Sequence, residues 1–306
     1  MIEYYAKSKK ENKIEKIEKP IKGCWINVVD PSQEEINFLS KEFCIDCEEI
    51  NDALDIHETP RVDSEDDVIY IHSTVPTEIL SQDYDSSFLI AISKNYFFSI
   101  SKNPLEIITS ALNQKREVKH FSNSRNLFRI LFLISRVFET SVGTISKEIK
   151  LNKLDLSELG TKDLEKLIKY EDKLTSYTSS FGATIHVYHK LLREKSINFS
   201  EEDKGEIEDL IVDLNETLVL CNEALKSISN MRNYYHAKLS NDLNKTVLTL
   251  TIVTIFISIP TLIGSIYGMN IHLPYQEKEY FIYILMGIMI FIWGLMFFGL
   301  KKFKII

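Results

Sequence analysis

Several things are missing from this chain of 306 residues, and each absence narrows what it can be. No stretch reads as a phosphate-binding loop, a nucleophile elbow or a paired general acid and base, so nothing points to an ATPase or any other enzyme. A basic excess is also lacking. Lys and Arg total 36 against 44 Asp and Glu, a formal net charge of -8, and nucleic acid requires a positive face. The N-terminus, Met1-Ile2-Glu3-Tyr4-Tyr5 and then a Lys/Glu-rich run, has no apolar core of the kind a signal peptide carries, so residues 1–240 are expected to stay in the cytosol. The four cysteines are Cys24, Cys44, Cys47 and Cys221. Cys44-Ile45-Asp46-Cys47 has redox or zinc spacing, but no second Cys pair or His-rich segment completes a site, and reduced thiols are expected. No internal repeat is visible.

The most telling absence is of charge. Val247 to Tyr267 and Phe281 to Leu300 carry none, and each is long enough, at about 1.5 Å per residue, to cross a hydrocarbon core of about 30 Å. Lys238 and Lys245 precede the first run, and Lys301, Lys302 and Lys304 follow the second. The positive-inside bias therefore puts both termini in the cytoplasm and the connecting loop outside.

Residues 1–120 read as a mixed α/β domain. Strands are predicted at 23–29, 68–74, 88–92 and 96–100, with Ser93-Lys94-Asn95 as a hairpin turn. Asp30-Pro31-Ser32-Gln33 reads as an N-cap with proline at the first helical position, opening a helix to about Phe43. Asp46 caps a second helix, residues 47–54, and Pro104 opens a third to about Gln114. From Ser124 the strand signals vanish. Leu127, Ile130, Leu131, Ile134, Val137 and Phe138 recur at helical spacing, predicting a helix over 124–152. Another is expected over 161–195. A third begins near Lys204 and meets no proline before Pro260, too long for a globular domain, so it reads as a stalk entering the membrane as the first span.

The first span is rich in hydroxyls. Thr251, Thr254, Ser258, Thr261 and Ser265 form a heptad seam, which Val247 and Asn244 extend backwards. One polar stripe on a membrane helix suits a water-filled lumen; alternatively, these hydroxyls bond their own helix carbonyls and aid packing. No carboxylate lies on the seam. The second span has no hydroxyl but Tyr283 and suits an outer ring, with Trp293 and the Phe side chains toward lipid and Gly287, Gly294 and Gly299 allowing close packing on the first. Two spans per chain cannot enclose an aqueous path, so oligomerisation is required, and a closed ring is the expected symmetry.

Two apolar spans joined by a loop that begins Gly268-Met269-Asn270 resemble the CorA family of divalent-cation channels. The segment from Asp52 to Val62, followed by Asp66-Asp67, also resembles that family's cytoplasmic domain. The resemblance implies an α/β cytoplasmic domain, a long α-helical stalk and two transmembrane helices, assembled as a funnel-shaped homo-oligomer, a pentamer. The expected divisions are 1–120, the α/β domain; 121–243, the helical region and stalk; 244–267, the pore helix; 268–280, the external loop; 281–300, the second transmembrane helix; and 301–306, a basic cytoplasmic tail.

It further implies that Gly268, Met269 and Asn270 form the outer selectivity ring and that Asn244 lies near the cytoplasmic end of the pore. Val247 and Leu250 then suit a hydrophobic constriction that gates by dewetting. Amide oxygens at Asn270 can hold Mg²⁺ through its water, because this ion dehydrates reluctantly. Pro260 either bends the pore helix or is a passive kink. In the family a proline and an acidic residue commonly follow the motif. Here Pro274 is followed by Tyr275 and Gln276, with the acids at Glu277 and Glu279, which weakens the idea of an acidic mouth. His272 is either a ligand for a softer ion or plain polar surface.

Family members close when intracellular Mg²⁺ occupies carboxylates between neighbouring cytoplasmic domains. Candidates are Asp209 and Asp213, four apart on one helix face, with Glu206 and Glu208, and Asp66 and Asp67 with Asp63 and Glu65. His186 and His189, three apart on a helix, make a possible metal pair, but no third ligand is apparent, and packing or surface is the favoured reading. The expected function is Mg²⁺ influx across the cell membrane, extending to Co²⁺ or Ni²⁺, with the divalent ion as substrate and regulatory ligand and with no cofactor. A ZntB-like Zn²⁺ transporter, proton-coupled or not, is the rival; a non-conducting membrane-anchored scaffold is the third reading.

Overall fold

The computed structural model describes residues 1–8, 13–55, 58–65, 67–76, 85–112, 121–153, 160–194, 197, 199–271, 278 and 280–302. Its strands are β1 (Ile2–Lys7), β2 (Ile14–Ile17), β3 (Trp25–Val29), β4 (Arg61–Glu65), β5 (Val68–Pro76), β6 (Asp85–Ile92) and β7 (Phe97–Ser101). Its helices are α1 (Gln33–Phe43), α2 (Cys47–Ala53), α3 (Glu106–Leu112), α4 (Asn123–Lys153), α5 (Thr161–Arg193), α6 (Glu201–Tyr267) and α7 (Phe281–Lys302). The chain divides into two compact units, Met1–Arg232 and Asn233–Ile306.

In the first unit one seven-stranded sheet runs β2-β1-β3-β7-β6-β5-β4. Only β3 and β7 pair in parallel; the other neighbours are antiparallel. Both faces of the central strands are buried, and the two-residue period sends alternate side chains to different cores. Trp25, Ile69, Ile71, Phe88, Ile90 and Phe97 join the helical side. Ile26, Val28, Tyr70, Leu89, Phe98 and Ile100 pack with Ile36, Leu39 and Phe43 of α1 and Ile50 of α2. Within the helical core Phe138 of α4 lies 5.5 Å from the Tyr177 ring and 4.8 Å from that of Phe181, both on α5. A buried polar relay ties β3 to β7: Trp25 Nε1 donates to Ser99 Oγ at 2.8 Å, and Ser99 Oγ to Asn27 Oδ1 at 2.8 Å.

Several local expectations shift. The cap of α1 is Ser32, not Asp30, because Ser32 completes a reciprocal capping box with Glu35 while Asp30 sits at φ 45° ahead of Pro31. Asp46 does cap α2, accepting from the Glu48 amide at 3.0 Å. The strands β1, β2 and β4 fall where no strand is predicted, β1 and β2 around the Lys/Glu-rich N-terminal run and β4 just before Asp67; all three are at or near a sheet edge, where polar residues are at home. The four thiols are free.

The long helix is continuous for 67 residues, about 100 Å. In the first unit it buries one stripe, including Ile207, Leu210, Ile211, Leu214, Cys221, Ala224 and Ile228, and that burial ends at Met231. The helical region thus shares its core with the sheet, and the break between units falls at Arg232/Asn233. In the second unit the remainder of α6 and all of α7 are long and apolar enough to cross a membrane, with no part of either apolar window buried.

Candidate functional site

At the C-terminal end of α6 the backbone tightens. The Gly268 amide donates to the Gly264 carbonyl at 2.9 Å, and the Met269 amide reaches back only three residues, to Ile266, at 3.3 Å. A Cβ added at Gly268 would stand 3.2 Å from the Gly264 carbonyl oxygen, so glycine fits this turn best. Met269 and Asn270 follow, both exposed. A helix end leaves carbonyls without amide partners and concentrates partial negative charge there. Gly268-Met269-Asn270 therefore sits where backbone oxygens and a side-chain amide can receive a cation's hydration shell.

Behind this turn the hydroxyl seam is continuous on α6. Thr251 Oγ1 donates to Val247, Thr254 to Leu250 and Thr261 to Ile257, each at 2.8 Å, while Ser258 Oγ donates to Ile255 at 3.0 Å. The second of the two readings of these hydroxyls, bonding to their own helix, is thus realised. It does not exclude the first. With its hydrogen engaged, each oxygen offers only acceptor sites outward, and acceptors are what the outward-pointing hydrogens of a hydrated cation need. Thr254, Ser258, Thr261 and Ser265 share one open groove with Ile257 and Leu262. Asn244, Val247 and Leu250 are exposed on the same helix, Leu250 by 65%.

The placement of Trp293 differs from expectation. It turns toward α6, half-buried, with Nε1 donating to the Phe256 carbonyl at 3.1 Å and its ring 6.0 Å from that of Phe256. An indole N–H in hydrocarbon has no water to bond, so it seeks a protein acceptor. The glycines of α7 do not mark close helix packing either: Cβ atoms at Gly287, Gly294 and Gly299 would meet nothing within 4 Å. Bulky aromatic pairs, Phe256–Trp293 and Tyr267–Phe281, make the contact instead.

The acidic candidates fall into two sets. Asp209, Asp213 and Glu208 are exposed on α6. Asp67 is exposed at φ 62° in the turn between β4 and β5, and Asp66, like His272, Pro274, Tyr275, Gln276, Glu277 and Glu279, lies outside the described residues. Glu206 and Asp63 are already engaged. Arg125 Nη1 donates at 2.7 Å to both Glu206 and the buried Asp203, and Arg61 Nε donates to Asp63 at 2.8 Å. Burial pushes the Asp203 carboxyl up, but donors from Ser200 and the Arg125 guanidinium outweigh it and hold the carboxyl below its ordinary range. Arg61 also pairs with Glu49, Asp52 and Glu58, so one guanidinium is shared among four carboxylates of that segment. Among the described residues no three His, Cys, Asp or Glu side chains gather as a metal cage. His186 and His189 are both exposed on α5.

The family model described as "CorA-like Mg2+ transporter protein" matches residues 22–302. The chain belongs to the CorA family. Members of the CorA family are transporters rather than an enzyme class, and at that level this chain is a membrane transporter of divalent cations. It is 25% identical over 276 residues to the cobalt/magnesium transport protein CorA of Methanocaldococcus jannaschii, covering 88% of this chain and 86% of that one. The complete structure of the CorA magnesium transporter from that organism superposes with a TM-score of 0.82 at 21% identity, over 99% of this chain and 98% of the other. The ZntB cytoplasmic domain from Vibrio parahaemolyticus shares the fold more distantly, with a TM-score of 0.63 at 13% identity over 78% of this chain and 98% of that one.

Proposed function

We propose that this CorA-family protein conducts Mg²⁺ into the cell as a still-hydrated ion, through a lumen lined by copies of α6 in a closed ring. The observation that carries the proposal is the order of groups on that helix. The Gly268-Met269-Asn270 turn lies at the negative helix end, a seam of hydroxyl acceptors follows, and exposed Leu250, Val247 and Asn244 come last. None of these is a carboxylate, so nothing on the path is built to strip water from the ion. The alternatives Co²⁺ and Ni²⁺, hydrated ions of similar size, would pass by the same contacts. Both termini lie in the cytoplasm on the charge bias, and the inside-negative potential drives entry, contributing roughly 4.6 kcal/mol per divalent ion per 100 mV.

Val247 and Leu250 form the closing constriction, and cytosolic Mg²⁺ at Asp209, with Asp213, Asp66 and Asp67, holds the ring closed. Asp209, Asp213 and Asp67 are exposed, and among the described residues they join no cluster of three acids, as expected of a site completed by a neighbouring copy. Asn270→Ala tests the proposal. Its Mg²⁺ uptake in proteoliposomes is expected to fall to background while size-exclusion chromatography shows an unchanged assembly; normal uptake would sink the assignment of the selectivity ring.

A further inference from the structure

Pro260 has no amide hydrogen, so the Phe256 carbonyl four residues earlier lacks the donor that any other residue would supply. Water could serve it at a protein surface, but the hydrocarbon region offers none. The structure aims a donor at this oxygen from the other span, Trp293 Nε1 at 3.1 Å. Two further facts make the match specific. Trp293 and Tyr283 are the only residues of the second span with a side-chain N–H or O–H to give. Phe256 lies about 160° around α6 from both Thr254 and Ser258, behind the hydroxyl seam.

We propose that Trp293 is a positioning residue for the pore helix: its indole N–H replaces the amide that Pro260 withholds from the Phe256 carbonyl, latching α7 to α6 at the break in its backbone ladder. The latch holds α6 from the rear, so the part beyond Pro260, which carries Thr261, Ser265 and the Gly268-Met269-Asn270 turn, keeps its place without any side chain intruding on the seam. The proline is then more than a passive kink. It creates an acceptor on one span that a single side chain on the other fills, which fixes both the register and the rotation of the pair.

The effect on flux rests on the proposed pore, while the hydrogen bond itself does not, and a double-mutant cycle separates the two. Trp293→Phe, Pro260→Ala and the double variant of the full chain are compared by thermal unfolding in detergent and by Mg²⁺ flux in proteoliposomes. Alanine at 260 restores an amide to the Phe256 carbonyl and makes the indole donor redundant. Trp293→Phe is therefore expected to lower both the unfolding midpoint and the flux in the native background, the flux on the order of three- to tenfold for one interhelical hydrogen bond. In the Pro260→Ala background it should leave flux within about twofold, since only the smaller ring remains as a difference. Benzothienylalanine at position 293 alone keeps the bicyclic ring without the N–H and should behave as phenylalanine does.

Equal effects of Trp293→Phe in both backgrounds, or native behaviour of the benzothienyl variant, would overturn the latch. Coupling in unfolding without coupling in flux would overturn its role in positioning the pore. If the native protein carried no flux, the transport reading would fail while the unfolding cycle still judged the hydrogen bond.

Discussion

Replacing Thr254 by valine isolates what the hydroxyl seam is proposed to do. The two side chains are close in shape, and Thr254 Oγ1 gives its hydrogen to the Leu250 carbonyl of its own helix at 2.8 Å. Such back-bonding adds nothing to helix stability and slightly opposes it, so the variant should fold as the native chain does. What disappears is the oxygen's outward acceptor capacity. A hydrogen bond of this kind is worth about 1 kcal/mol net. A hydrated ion that touches two such hydroxyls in a ring of copies loses about 2 kcal/mol as it passes, which slows transfer about 30-fold. Thr249 supplies the control, because its hydroxyl makes the same bond, to Lys245 at 2.8 Å, but points about 160° away from Thr251. Voltage-driven Mg²⁺ entry into proteoliposomes should fall by about one order of magnitude or more for Thr254→Val and stay unchanged for Thr249→Val. Unfolding midpoints should move by less than about 2 °C for either. Equal flux from the two variants would refute a lumen along this seam.

Arg125→Ala removes the donor shared by Asp203 and Glu206 at 2.7 Å. With the arginine a third exposed and Asp203 buried, the loss should be about 1–3 kcal/mol after screening, seen as a midpoint about 3–8 °C lower by calorimetry. Because the folded Asp203 carboxyl sits below its ordinary range, this stability is present at neutral pH and lost as pH falls through the folded value, so the gap between variant and native chain should close in acid. Asp209→Ala should leave the unfolding midpoint unchanged, since the side chain is exposed, yet abolish closure by internal Mg²⁺ in a flux assay; unchanged closure would remove Asp209 from the regulatory site.

How much of this was legible in the sequence depends on the kind of signal. The helices α4, α5 and α6 announce themselves through 3.6-residue periodicity, and the two spans through missing charge, because burial in a core or a bilayer acts on every turn. Periodicity does not say which core an element joins, so the first 120 residues and the helices after them read as separate parts although Trp25 and Phe97 of the sheet share a core with Leu131 and Phe138 of α4. The strands β1, β2 and β4 were hidden by their charge: Lys16 of β2, opposite Tyr5, reaches diagonally to Glu3 of β1 at 2.6 Å. Asp30 and Ser32 are both good cap residues, and only the reciprocal bond from Glu35 decides between them. The Gly268-Met269-Asn270 turn was visible as a motif, but the partner of Trp293 was not. A signal for it did exist, namely a lone indole in one span and a proline in the other, which together mark one unpaired donor and one unpaired acceptor in hydrocarbon.

The most direct test of the account is divalent flux into proteoliposomes holding the purified full chain, with Mg²⁺ and Zn²⁺ compared under a fixed voltage, each with and without a pH gradient. Mg²⁺ entry that follows the inside-negative potential and ignores the pH gradient is the predicted result. Zn²⁺ entry that requires the proton gradient, with no voltage-driven Mg²⁺ entry, would contradict it.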